Sequence, residues 1–166
     1  MPTSTSDFLI RRARPEDEDS IWLLWRDLHE LHRAGAPAGV FRPADDRAAF
    51  SRFLAEGRDT YVVVAVLADE VVGYVLAREV RRPPSLFSDA FHVLEIDQLS
   101  VAASARRRGV ATALIKELGR EASARGATQL TVGLWFFNEA AYAFYRRHGF
   151  IDSQRRMGLS LVRRAD

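Results

Sequence analysis

The sequence predicts an α/β fold built on a central, mostly antiparallel mixed sheet, and three observations carry that prediction. Extended apolar runs alternate with amphipathic helical runs along the chain. Two strand-like runs, 59–68 and 71–80, meet at Asp69-Glu70, as neighbours in an antiparallel hairpin do. One unit, 94–123, reads as a strand feeding a helix through the basic, glycine-containing turn Arg106-Arg107-Arg108-Gly109-Val110-Ala111. At 166 residues the chain suits one domain, 8–166, preceded by a loose polar tail, 1–7, without the apolar core of a signal peptide.

The elements follow in order. Residues 8–13 form a short strand. Arg14-Pro15-Glu16-Asp17 opens a helix, with proline early and acids in the first turn, that runs to about His32 with Ile21, Leu24, Trp25, Leu28 and Leu31 on one face. Gly35, Pro37, Gly39 and Pro43 make the next stretch a loop. A second helix spans 45–56 with Phe50, Phe53 and Leu54 inward. After the hairpin, 81–88 is a loop and 91–101 a long strand. A helix at 107–125 is closed by Gly126, and a strand covers 128–137. A helix at 139–148 ends at Gly149, and residues 150–152 and 157–163 supply final strands.

Composition narrows the function. With 48% hydrophobic residues and no apolar run near the ~20 needed to cross a membrane, no membrane partner is expected. The absence of cysteine excludes disulfides, thiolate metal sites and a cysteine nucleophile, and the cytoplasm is the expected compartment. Four scattered histidines make no metal site. The net charge of +2 arises from 24 basic and 22 acidic residues interspersed, without the basic-aromatic interleaving of a nucleic-acid surface.

The turn before the 107–125 helix has the makings of a pyrophosphate cradle. A helix N-terminus presents unpaired N–H groups and partial positive charge. Gly109 removes a Cβ from the approach, Ala111 keeps the next contact small, and the arginines add charge at the rim. About 30 residues on, a second block runs Asn138-Glu139-Ala140-Ala141-Tyr142-Ala143-Phe144-Tyr145-Arg146-Arg147-His148-Gly149-Phe150. With both blocks in order the chain resembles the GNAT superfamily of N-acetyltransferases. Arg106, Gly109 and Ala111 match its Q/R-x-x-G-x-G/A signature. Asn138, Ala141, Phe144, Tyr145, Gly149 and Phe150 match its N-x-x-A-x-x-F-Y-x-x-x-G-F segment. The tail Arg156-Met157-Gly158-Leu159 also resembles the branch related to histone and polyamine acetyltransferases.

The resemblance implies a sheet of six to seven strands with helices on both faces. It further implies a slot between the fourth and fifth strands for acetyl-CoA, and no metal. The main chain of Leu99, Ser100 and Val101 would meet the pantetheine arm, and Arg106, Arg107, Arg108, Gly109, Val110, Ala111 and Thr112 the pyrophosphate. Asn138, Ala141 and Tyr145 would line the arm. The acceptor would be a primary amine on a small molecule or a peptide, attacking directly in a ternary complex. An alkylamine with a pKa near ~10 needs a base. Glu95 stands where several family members keep theirs, and Asp97 is the runner-up. Strand alternation would put both on one face with Leu99 and Val101; the alternative to the role of base is that one or both simply pair with loop arginines. Tyr145 matches the family's proton donor to the thiolate; the alternative for it is a core aromatic. His29 and His32 read first as residues of a helix C-terminus, yet with Phe41 they belong to the segment that forms the acceptor wall in this fold, so the three are substrate-binding candidates.

Three classes therefore stand. An N-acetyltransferase leads, a catalytically silent acyl-CoA-binding sensor or regulatory module follows, and a nucleic-acid-binding domain on the triple arginine comes last. A homodimer through the final strands is a further possibility.

Overall fold

A computed structural model of the chain describes residues 8–57 and 59–158. Five strands form a single sheet in sequence order: β1 (Leu9–Arg12), β2 (Thr60–Leu67), β3 (Glu70–Arg82), β4 (Phe91–Val101) and β5 (Gln129–Val132). The first four run antiparallel, and β5 joins β4 in parallel. Parallel neighbours need a crossover; here it is α3 (Val110–Ala124). The β2–β3 hairpin turns on Ala68 and Asp69, both with left-handed φ, the geometry whose twist matches that of paired strands.

Helices cover both faces, each over its own core. α1 (Glu18–Gly35) and α2 (Arg47–Glu56) bury Ile21, Trp22, Leu24 and Phe50 against Val64, Tyr74 and Leu76. On the opposite face, Leu114, Ile115 and Leu118 of α3 and Tyr145 of α4 (Glu139–Arg147) pack on Val63, Val75, Leu94 and Ile96. Entry into α1 is held by Asp17, which receives two bonds from the Arg11 guanidinium and one from the Arg14 N–H. No helix among the described residues is long and apolar enough to cross a membrane.

Several expectations shift. Five strands, not six or seven, are present among the described residues: 150–158 has no regular structure, and 159–163 lies outside them, as does the tail 1–7. β5 stops at Val132 rather than at 137, because Gly133 follows and the chain turns, with the Asn138 N–H bonded to the Trp135 carbonyl. α3 begins at Val110, since Arg107 and Gly109 carry left-handed φ that no helix admits. Leu31 and Phe53 are exposed, while Trp22 turns inward in their stead.

Candidate functional site

β4 has eleven residues and β5 four, and their pairing ends at Ile96–Val132. From Asp97 to Val101 the β5 side of β4 therefore has no strand beside it. The Ala102 N–H donates to the Val72 carbonyl, and the register runs Gly73–Val101, Tyr74–Ser100, Val75–Leu99. Antiparallel ladders alternate hydrogen-bonded and non-bonded pairs. Bonds to β3 thus fall at Ser100 and Ala102, and the main-chain groups of Leu99 and Val101 point away from β3, into the gap. Ser100 contributes nothing there: its hydroxyl donates to the Leu24 carbonyl on the α1 side.

The expected face sharing of Glu95, Asp97, Leu99 and Val101 does not hold. Leu76 pairs with Gln98 and Ala77 with Ile96, so Asp97 is the extra residue of a β-bulge. A bulge resets the alternation of side chains. Leu94, Ile96, Leu99 and Val101 all pack toward the α3 core, whereas Gln98 accepts from the Tyr74 hydroxyl on the α1 side. Asp97 lines the slot together with Leu99, Asn138, Ala141 and Tyr145; Glu95 lines neither this cavity nor its neighbour. The Asp97 carboxylate is gripped in bidentate fashion by Arg78 of β3.

Beyond β4 a short 3-10 turn (Ala103–Ala105) leads to the cradle, where the Arg106 Nε donates to the Val101 carbonyl. Arg107 (φ +63°) and Gly109 (φ +83°) bracket Arg108, a backbone form that gathers N–H groups into a concave anion site. No side chain caps α3 at Gly109, so the N–H groups of its first turn are left for a ligand. A Cβ built on Gly109 meets nothing within 4 Å; its conformation and the approach of a ligand, not crowding, call for glycine here. The uncapped cradle follows the open edge of β4 one short turn later along the chain, and the residues present fit a pantetheine diphosphate. Val110 turns its side chain into the core, leaving only main chain to the site. The Thr112 hydroxyl is engaged by His148 Nε2, whose other ring nitrogen contacts the Phe144 carbonyl, tying α3 to α4.

Asn138 caps α4, its Oδ1 accepting from the Ala141 N–H, so any contact to a ligand falls to its Nδ2. Tyr145 is 5% exposed, packed against Phe144 and Phe150, and burial raises its phenol further above the usual range. It is both things the sequence allowed: a core aromatic and a lining residue of the slot.

A second cavity adjoins the slot, sharing Leu28, His32, Asp97, Gln98, Gly133 and Trp135 with it. His29 and Phe41 line it, as does Trp25, so the three acceptor-wall candidates converge on Asp97. Burial and the neighbouring His29 lower the pKa of His32, keeping its ring neutral at pH 7. Sequence reasoning placed Trp25 on the apolar face of the first helix and brought neither Gln98 nor Trp135 to the site. The spacing of Trp25, Leu28, His29 and His32, one stripe of α1, was the available signal.

The profile of the acetyltransferase (GNAT) family matches residues 25–150. No curated protein matches the chain in sequence. Among solved structures, the tetramutant of the BH1408 protein from Bacillus halodurans superposes with a TM-score of 0.82 at 23% identity, over 92% of this chain and 99% of that one. A predicted acetyltransferase with acetyl-CoA from Clostridium acetobutylicum gives 0.70 at 16% identity, over 93% and 96%. AAC(6')-Iy in complex with the bisubstrate analogue CoA-S-monomethyl-acetylneamine gives 0.68 at 20%, over 92% and 97%. With the family profile spanning most of the chain and both signature blocks lying within the matched residues, the protein belongs to the GNAT acetyltransferase family.

Proposed function

We propose that the protein is an acetyl-CoA-dependent N-acetyltransferase that acetylates a primary amine by direct attack in a ternary complex. The observation that carries this reading is convergence: Leu99 on the unpaired edge of β4 and the Tyr145 ring line one slot, which opens onto a second cavity at Asp97, and the same strand leads through the Ala103–Ala105 turn to the uncapped cradle at 107–112. Acetyl-CoA, when bound, supplies an acyl group activated as a thioester. The rest is the chain's own chemistry.

The incoming amine arrives as an ammonium ion and must lose a proton before it can attack. Asp97 is the lining carboxylate where the two cavities join, so it attracts the ammonium and passes its proton to water; this role moves from Glu95 to Asp97. His32, held neutral, adds no repulsion. Tyr145 keeps its proton on Oη throughout the working pH range. Full transfer from so weak an acid to a thiolate of pKa ~8.5 is uphill, so its part is a hydrogen bond to the departing sulfur. The strand N–H groups facing the gap at Leu99 and Val101 are donors for developing oxygen charge.

The test is thiol release from acetyl-CoA with a panel of amines, wild type beside Tyr145→Phe; the protein has no cysteine to add background. Release that needs an amine and falls ~10- to 100-fold in the variant supports the reading. An acetyl-CoA-induced rise in melting temperature with no transfer to any amine makes the protein an acyl-CoA-binding module, and no rise at all removes the cofactor assignment.

A further inference from the structure

The second cavity is walled by aromatic rings from three parts of the chain. Trp25 stacks on His29 at 4.6 Å between centroids, His29 meets Phe41 edge-on at 5.5 Å, Phe41 stacks on His32 at 5.8 Å, and Phe41 meets Trp135 at 5.5 Å. α1 supplies Trp25, His29 and His32, the loop before α2 supplies Phe41, and the turn after β5 supplies Trp135. The His29 Nε2–Arg42 carbonyl bond of 2.6 Å fastens that loop to α1, which sets Phe41 against the other rings. Among the described lining residues Asp97 is the single carboxylate, and Arg78 already occupies it from the side.

We propose that this box is the acceptor site, and that it selects primary amines with one positive charge and a flat apolar body over polycationic or polyhydroxylated amines. Ring faces attract an ammonium through their quadrupoles and pack against a flat hydrocarbon body. A polycation would need several carboxylates, and a sugar-like amine would need many hydrogen-bonding groups; the wall offers one carboxylate, the Gln98 amide and two imidazoles. The cavity, about 200 Å³, is below the ~300 Å³ at which drug-sized pockets begin, which suits a compact acceptor. The ammonium would sit at Asp97, where the box meets the slot, and the flat body in the cavity that Trp25, Phe41 and Trp135 line.

This inference rests on the proposed acetyl transfer, and the experiment separates the two. Acetyl transfer to 2-phenylethylamine, tryptamine, spermidine and kanamycin is measured for wild type, Phe41→Ala, Phe41→Leu and Trp135→Ala. Binding of 2-phenylethylamine is followed in parallel by quenching of tryptophan fluorescence, and the fold of each variant by its melting temperature. The expected result is a kcat/KM for the two arylalkylamines at least ~10-fold above that for the other two. The amine KM should rise ~10-fold in both alanine variants and less in Phe41→Leu, while the KM for acetyl-CoA is unchanged. Equal or better use of spermidine or kanamycin overturns the inference and leaves the transferase reading standing. Quenching by 2-phenylethylamine that is lost in Phe41→Ala, without transfer to any amine, upholds the site and removes the transferase reading. The absence of both quenching and arylalkylamine transfer overturns the inference.

Discussion

Asp97 reaches the slot because it is the one residue of its stretch of β4 that β3 skips. The bulge between the Ala77–Ile96 and Leu76–Gln98 pairs advances the strand by one residue and turns the following side chains over. Strict alternation would have carried Glu95 and Asp97 together with Leu99 and Val101. No glycine or proline in 94–101 betrays the bulge, so its position was not readable from the residues. The turn of the cradle was readable, because a glycine after three arginines at a strand-to-helix junction marks a left-handed backbone position. The placement divides the two carboxylates experimentally. Asp97→Asn should lower kcat/KM for the amine ~100-fold while acetyl-CoA still raises the melting temperature as in wild type; Glu95→Gln should change kcat/KM by less than ~3-fold. Steady-state kinetics on the two variants decides it, and a larger loss in Glu95→Gln would return the base to that residue.

Among the elements, the slot exists because β5 is shorter than β4 and the chain after it swings toward α1. Phe137 closes that swing by lying against Gly35 at the end of α1, where an added Cβ would stand 2.4 Å from the ring. Phe137 also contacts His32 and Trp135, so its seat sets the aromatic wall. The sequence marked Gly35 as a helix breaker in a loop; its use as a place for a ring to lie depends on a contact 102 positions away that no local pattern encodes. The α1 stripe, by contrast, follows from helical spacing alone. Gly35→Ala pits two effects of similar size against each other. Alanine gains ~1 kcal/mol of helix propensity, and displacement of the half-buried Phe137 ring costs ~1–2 kcal/mol. Stability should stay within ~1 kcal/mol of wild type, whereas the amine KM should rise several-fold and the acetyl-CoA KM should not move. Urea denaturation with paired saturation curves measures both, and a rise in both KM values would mean that the displacement spreads into the slot.

At the scale of the molecule, the order of elements and the two motif blocks were legible because each reports a local physical need: a turn, a cap, an amphipathic stripe. The two cores, one on each face of the sheet, follow from alternation along β2 and β3. What joins distant elements was not legible, and Glu79 is the plainest case. Its carboxylate accepts from Tyr61 of β2 at 2.7 Å, from Arg81 of β3 at 2.6 Å and contacts His92 of β4 at 2.5 Å, with the Arg125 guanidinium at the end of α3 3.9 Å away. Arg125 also lies over the Tyr61 ring. Hydrogen bonds from Tyr61, then from Arg81 and His92, hold the Glu79 pKa down at about 2. In the unfolded chain a glutamate titrates near ~4.3. The folded state thus binds this proton less readily than the unfolded state, so the contribution of Glu79 is complete above ~4.3 and is lost as pH falls toward 2. Glu79→Gln, which keeps the shape and an acceptor oxygen, should cost on the order of 2 kcal/mol at pH 7. The difference from wild type should shrink steadily as the pH is lowered from 5 to 2.5. Asp17, also held low by Arg11, titrates alike in both proteins and cancels in the comparison. Urea denaturation of the pair across that range gives the answer: a gap that stays constant with pH would mean that Glu79 acts by packing and neutral hydrogen bonds, and that its charge does not fasten the four elements together.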